Sequence, residues 1–494
     1  MSSTSMNSLT TQLDSIAPRF LLKKGDIEVI NEPSIFYQTL LNKISTAKSR
    51  VYLSTLYIGT KQHELVQCID KAMEKNEDLK VYLLTDALRG TREAPNPCSA
   101  SLLAPLEEKY GRRIDIRMYH TPHLAGFSKM LTPKRINEGW GLQHMKLYGF
   151  DQEIILSGAN LSEDYFTNRQ DRYYLFKNKP LSDYYFKIHD AVSLLSYRIV
   201  HTNKLKQGFK LTWPTSNASC EPHLNFHRFV SDSSYLLTPI LQQQALSSFE
   251  EFEHNPDYDT IVYPVSQFTP LFPANQDQST EKPAILRVLS YGDSPKVKWW
   301  FTAGYFNMLP EYQNRLLNGK SKGTIITASP KANSFYKSPG VSYYLPQAYL
   351  LFAKQFLEQV KHLGKSALIT VYEWQKGIVN TPNGWSYHAK GLWVTAPNEN
   401  EPSITVIGSS NYTKRAYSCD LESNAIIITK DQELKNKMKN EIDHLMKDVN
   451  ELTLSDFAPK KLESTESEPK YSVDEDRKIS YGVHLAVKLL GGRL

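Results

Sequence analysis

The chain lacks several things that would have fixed its class at once. It has only four cysteines in 494 residues, Cys68, Cys98, Cys220 and Cys419, with no CxxC pair among them, which excludes a disulfide framework and a cysteine-rich zinc site. No window approaches the run of about 18 apolar residues that a membrane-spanning helix needs, and the greasiest stretches, such as Ala425–Ile428, are strand-sized. Charge of one sign is scarce too: 58 Lys and Arg against 52 Asp and Glu leave a net +6, too weak a basic balance to point to nucleic acid. With 40% hydrophobic residues the chain nevertheless has ample material for cores, and its length suits two or more domains.

What is there is an α/β alternation stated twice. From Arg50 the pattern reads strand (Val51–Tyr57), helix (Gln62–Lys75), strand (Lys80–Thr85), helix (Ser101–Tyr110) and strand (Ile114–Tyr119). It recurs as strand (Val297–Tyr305), a helix after Pro310, strand (Gly323–Ala328), helix (Gln347–His362) and strand (Ala367–Glu373). Such alternation predicts two α/β lobes, each a mixed sheet covered by helices, related by a pseudo-two-fold axis and sharing one cleft. The expected divisions are a Ser/Thr-rich segment 1–24 that is flexible or a targeting signal, an N-terminal lobe over 25–214 and a C-terminal lobe over 223–458. A charged, solvated linker over 459–478 and a basic amphipathic helix over 479–494 complete the expectation.

Each series ends in a His-x-Lys hairpin. His144-Met145-Lys146 leads to Ser157-Gly158-Ala159-Asn160 and then Asp171; His388-Ala389-Lys390 leads to Gly408-Ser409-Ser410-Asn411 and then Glu422. Both acids lie 11 residues beyond their asparagine. In a strand, alternate side chains share a face, so each histidine points the same way as its lysine. The pseudo-two-fold would gather two imidazoles, two ammoniums, two amides and two carboxylates in one cleft. That set suits phosphodiester chemistry without a metal or other cofactor. One histidine attacks phosphorus, the other handles protons, lysines and asparagines hold the non-bridging oxygens, and the acids fix the imidazole tautomers.

The run His144-x-Lys146-x4-Asp151 resembles the signature of the phospholipase D superfamily, with His388-x-Lys390 as a second copy in which Thr395 stands where the signature has Asp. Asp151 belongs to the signature, yet its odd offset from His144 predicts that it faces away, at the hairpin turn. The stretches 141–149, 157–162, 164–173 and 383–391 resemble the eukaryotic phosphatidylglycerophosphate synthase family of the fungal type. That resemblance implies phosphatidyl transfer from CDP-diacylglycerol to sn-glycerol 3-phosphate through a phosphatidyl-histidine. It also implies a peripheral place on an anionic membrane surface, at the matrix-facing mitochondrial inner membrane. The same chemistry with water as acceptor, a phospholipase D-type phosphodiesterase acting on a lipid or nucleic acid, is the alternative.

The acceptor brings a phosphate of its own, so further cations are needed. Arg89 and Arg92, after the strand Lys80–Thr85, are the expected substrate-binding residues; Lys331, Arg169 and Arg172 are also available. For contact with lipid, two segments combine apolar and basic residues: Phe127–Trp140, and the chain end with Ile479, Val483, Ala486 and Leu490 at helical spacing.

Overall fold

The computed structural model describes residues 2–134, 136–242, 255–461 and 471–490. Among these, two nine-stranded sheets dominate. The N-lobe sheet runs, edge to edge, through Phe209–Thr212, Tyr197–His201, Ile114–Tyr119, Lys80–Asp86, Arg50–Ser54, Leu147–Phe150, Glu153–Ser157, Tyr173–Lys177 and Ile27–Ile30. The C-lobe sheet runs through Val449–Leu452, Ile369–Trp374, Lys322–Ala328, Lys298–Thr302, Gly391–Thr395, Pro402–Gly408, Glu422–Thr429, Tyr258–Gln267 and Phe20–Lys23. Three strands in each are parallel, the βα repeats, and the strands of each His-x-Lys hairpin add to them antiparallel. The duplication read from the sequence is therefore a duplication of sheet topology.

The layers stack as outer helices, sheet, inner helices, sheet, outer helices. The inner layer contains Lys179–Ser193 and Gln432–Leu445, and both bury residues in a core that also takes Leu147, Tyr174 and Phe176 from one sheet and Val262, Ile407 and Ala425 from the other. Each lobe keeps a second core on its outer face. Apolar area buried between the sheets makes the lobes one body, since neither sheet has its inner face covered without the other. Helix Phe226–Leu241, at the start of the expected C-terminal lobe, joins the same shared core through Phe229, Leu237 and Leu241.

The chain ends differ from expectation. Residues 2–24 are not a detached flexible segment: helix Ser2–Asp14 buries Leu9 and Leu13 in the outer core of the C-lobe, and Phe20–Lys23 pairs antiparallel with Tyr258–Gln267 as an edge strand of that lobe. The apolar spacing Leu9, Leu13, Ala17 is the signal, masked in the sequence by the surrounding Ser and Thr. The charged stretch 459–478 is not a free linker either, although 462–470 lies outside the described residues. Arg477 holds Glu373 of the C-lobe at 2.6 and 2.5 Å, and Asp476 receives Lys331 at 2.8 Å and the Tyr336 hydroxyl at 3.1 Å. These pairs seat helix Tyr481–Leu490, which buries Val483, one of the four apolar positions predicted, while Ala486, Leu485 and Leu489 are exposed. Residues 491–494 of the expected terminal helix lie outside the described residues.

Candidate active site

The two lobes meet through matched backbone pairing. The His144 amide donates to the Leu421 carbonyl at 3.0 Å, and the His388 amide donates to the Gln170 carbonyl at 2.8 Å. Each histidine is thus clamped to the residue just before the other lobe's acid. That register delivers the carboxylates. His144 Nδ1 lies 2.9 and 3.0 Å from the Glu422 oxygens, and His388 Nδ1 lies 2.6 Å from Asp171 Oδ2. An ionised carboxylate only accepts, so Nδ1 carries the proton in each ring and Nε2 presents its lone pair to the cleft.

The surroundings hold these rings neutral. Burial pushes the His144 imidazole well below its ordinary range, and the Lys146 and Lys390 ammoniums push it further; burial, Lys390 and Arg169 do the same to His388. Lys146 is itself pushed well down by burial and by Lys390, and Lys390 is lowered by burial. Burial raises Asp171 to about 7 and raises Glu422 against the pull of Lys146 and Lys390. Lys146 Nζ donates to the His144 carbonyl at 2.6 Å and Lys390 Nζ to the Ser409 carbonyl at 3.1 Å, which aims both stems at the pair of rings. Two buried lysines beside neutral imidazoles set donors next to the nucleophilic rings, as binding the non-bridging oxygens of a phosphodiester requires.

The structure thus brings together His144, Lys146, His388, Lys390, Asp171 and Glu422. Asn160 stands beside them with its Oδ1 accepting from the Leu56 amide (3.3 Å) and the Thr55 hydroxyl (3.4 Å), and its Nδ2 donating to the Tyr165 hydroxyl (3.2 Å). Its hydrogen bonds go to protein groups, and Tyr165 in turn sets its ring edge 5.3 Å from His388. Asn411 keeps a buried Oδ1 without a partner. Asp151 is elsewhere: it sits at the hairpin turn with φ 50° and accepts from the amides of Lys48, Ser49 and Arg50 at 2.8, 2.7 and 3.1 Å, so it ties the turn down and takes no part in the cleft.

The expected substrate-binding arginines are largely neutralised. Arg89 pairs with Glu93 at 3.3 Å and lies over the Tyr57 ring at 3.8 Å; Arg92 pairs with Glu93 at 3.3 Å and with Glu138 at 3.1 Å. Lys331 is taken by Asp476. Arg172 is structural: it crosses into the C-lobe, where Glu441 holds it at 2.7 Å, the Val406 carbonyl at 2.7 Å and the Thr405 hydroxyl at 2.8 Å, its guanidinium lying over Trp393. Gly391, at φ 147°, leaves the room; a Cβ there would meet Arg172 Nη1 at 1.8 Å.

Residues that sequence reasoning missed include Ser409, whose hydroxyl donates to Glu422 Oε2 at 2.5 Å, and Arg415, which donates to Asp420 at 3.1 Å and to the Glu138 carbonyl at 2.8 Å across the lobe junction. Ser409 occupies the position of Gly158 in the other copy, where a Cβ would come within 2.9 Å of the Asp171 carboxylate. That Ser/Gly exchange is visible once the copies are aligned, but its meaning depends on the longer reach of Glu422. Among the described residues no group of three or more His, Cys, Asp and Glu side chains is arranged to hold a metal, and no helix is long and apolar enough to cross a membrane.

Two facing His-x-Lys hairpins on duplicated mixed sheets, with the imidazoles cross-backed by carboxylates, define the phospholipase D fold. A solved structure agrees: phosphatidylserine synthase from Haemophilus influenzae superposes with a TM-score of 0.67, covering 98% of this chain and 97% of that one at 18% identity. No family model matches the chain. Curated relatives do. The chain is 49% identical to a CDP-diacylglycerol--glycerol-3-phosphate 3-phosphatidyltransferase from Saccharomyces pastorianus, over 99% of this chain and 92% of the relative. It is 48% identical to the enzyme of the same name from Saccharomyces cerevisiae over the same shares, and 32% identical to the human one, named mitochondrial, over 87% of this chain and 79% of that. The chain belongs to the CDP-diacylglycerol--glycerol-3-phosphate 3-phosphatidyltransferase family.

Proposed function

We propose that this chain transfers the phosphatidyl group of CDP-diacylglycerol to sn-glycerol 3-phosphate, giving phosphatidylglycerophosphate and CMP. The observation that carries the reading is end-to-end similarity to relatives named for this reaction, together with an intact pair of neutral, carboxylate-backed histidines in this chain.

His144 Nε2 attacks the diacylglycerol-linked phosphorus. A P–N bond forms, the P–O bond to CMP breaks, and CMP leaves with the electron pair as a stable phosphate that needs little protonation. Glu422 stabilises the resulting phosphorylated imidazolium through Nδ1–H, and Lys146 and Lys390 bind the non-bridging oxygens. In the second step His388 Nε2 takes the proton of the acceptor hydroxyl as that oxygen attacks phosphorus, the P–N bond breaks, and His144 is regenerated. The imidazolium of His388, held by Asp171, then returns its proton to water.

The lipid substrate implies work at a membrane surface. Met130, Leu131 and Ile136 on one lobe, and Leu485 and Leu489 on the terminal helix, are exposed apolar side chains beside Lys129, Lys134 and Lys488, a combination that suits the interface of an anionic bilayer. The vertebrate relatives are named mitochondrial; we place this chain in mitochondria, peripheral to the matrix face of the inner membrane.

Incubating the purified chain with CDP-diacylglycerol, with and without glycerol 3-phosphate, and resolving the lipid products tests the reading. Phosphatidylglycerophosphate formed only with the acceptor is the expected result. Phosphatidate as the main product in both arms would make the chain a hydrolase and overturn it.

A further inference from the structure

Pseudo-symmetry makes the two halves of the cleft comparable position by position, and at one pair of positions their charges are opposite. Two residues before Asp171 stands Arg169; two residues before Glu422 stands Asp420. Both are buried.

Asp420 is fully engaged. Its carboxylate receives Arg415 Nε at 3.1 Å and the Leu142 amide at 2.9 Å. Arg169 has much less. Its Nε donates to the Ser386 hydroxyl at 2.9 Å, and the carboxylate it reaches, Asp164 at 3.2 Å, has a side chain 59% exposed and so counts little as a counter-ion. Its neighbour Arg172 is by contrast saturated by Glu441 and four backbone or hydroxyl oxygens. Two arginines three residues apart thus differ in kind: one is spent on the fold, while the other is a buried fork of donors with charge left over.

Arg169 also sits at the right end of the cleft. Its guanidinium lies 4.5 Å from the Tyr165 ring, and the same ring is 5.3 Å from that of His388. Tyr305 closes the other edge of His388 at 5.6 Å. A short acceptor whose hydroxyl gives its proton to His388 would carry a phosphate three carbons away toward Arg169. On the His144 side the equivalent position is the Asp420 carboxylate, which has no donor to offer a phosphate.

We infer that Arg169 binds the phosphate of the glycerol 3-phosphate acceptor, and that the Arg169/Asp420 reversal breaks the symmetry of the cleft so that the acceptor enters on the His388 side. The inference rests on the proposed phosphatidyl transfer and adds the residue that selects the acceptor.

Three readouts on purified Arg169→Gln and Arg169→Lys test it: kcat and KM for glycerol 3-phosphate, transfer to the neutral acceptor glycerol, and exchange of labelled CMP into CDP-diacylglycerol, which needs only the first step. The KM for glycerol 3-phosphate is expected to rise about 10- to 100-fold in Arg169→Gln, the scale of one charge-assisted pair, with a smaller rise in Arg169→Lys. The preference for glycerol 3-phosphate over glycerol should collapse while CMP exchange persists. An unchanged KM, or a parallel loss of all three activities in both variants, would overturn the inference. Wild-type protein that makes no phosphatidylglycerophosphate at all would instead overturn the proposed function.

Discussion

Asp171 of the N-lobe holds His388 of the C-lobe at 2.6 Å, and Glu422 of the C-lobe holds His144 of the N-lobe at 2.9 Å. The acid that follows each motif in the sequence therefore serves the other motif's histidine, and each imidazole is completed only when the lobes are packed together.

Replacing either acid by its amide should cost far more activity than stability. An amide can turn its NH2 toward Nδ1 and select the tautomer that places the proton on Nε2, where the lone pair is needed. We expect Asp171→Asn and Glu422→Gln to lose about 10²- to 10⁴-fold in kcat, the scale of a positioned acid or base. Melting temperature and turnover on the same preparations check it; Glu422→Gln should also abolish a trapped lipid adduct on His144, whereas Asp171→Asn should spare it.

Asp151, the acid of the signature, should behave in the opposite way. It caps three backbone amides at a turn outside the cleft. Asp151→Ala leaves these donors to water and puts alanine at positive φ, so a loss of about 1–3 kcal/mol in stability is expected with turnover of the folded protein retained. The Asp151 carboxyl is held below its ordinary value of 3.8 chiefly by the amides of Ser49, Lys48 and Arg50, which outweigh its burial. A group depressed on folding stabilises above its unfolded value, so this contribution should be complete at neutral pH and vanish as the pH falls below about 4. Denaturation of Asp151→Ala beside the wild type across that range would show the gap closing.

The histidines should stay neutral through the physiological range. Lys390 depresses both, so Lys390→Met removes a positive charge and lets each imidazolium form more readily. The titration midpoints of His144 and His388, followed by imidazole NMR, are expected well below 6.5 in the wild type and higher in Lys390→Met. Wild-type midpoints at or above 6.5 would contradict the electrostatics described.

Arg172 and Glu441 form a lobe-to-lobe ion pair with side chains 0% and 3% exposed. Glu441→Gln strands a buried guanidinium, which costs about 3–5 kcal/mol when one partner of a buried pair is removed. Chemical denaturation should show this loss, and Arg172→Met with Glu441→Leu should recover part of it.

On the terminal helix, Leu485 and Leu489 are 52% and 73% exposed. Leu485→Ser with Leu489→Ser is expected to weaken sedimentation with anionic vesicles while changing the melting temperature little, because both side chains are more than half exposed. Unaltered vesicle binding would leave the loop around Met130 and Leu131 as the contact.

Much of this protein was decided by local pattern. Alternating strand and helix periods, two His-x-Lys runs and acids 11 residues beyond each asparagine are enough to pick out the duplicated lobes and the six groups at their junction, although each His-x-Lys run lies just before its strand, Leu147–Phe150 or Gly391–Thr395, and not within it as expected. The odd offset of Asp151 likewise placed it outside the cleft. Pairing between distant segments was beyond that reach. Only packing of the lobes decides that Asp171 meets His388 and Glu422 meets His144, that Phe20–Lys23 completes the C-lobe sheet, and that Asp476 and Arg477 strap the chain end down. The same holds for charge. Arg89, Arg92, Arg169 and Arg172 are alike as letters, and their availability depends on carboxylates such as Glu138 and Glu441, brought beside them from 46 and 269 residues away. An ionic partner at that distance leaves no periodic trace in the chain, since the Coulomb energy depends on separation in space and on burial, both of which exist only once the two sheets have closed on their common core.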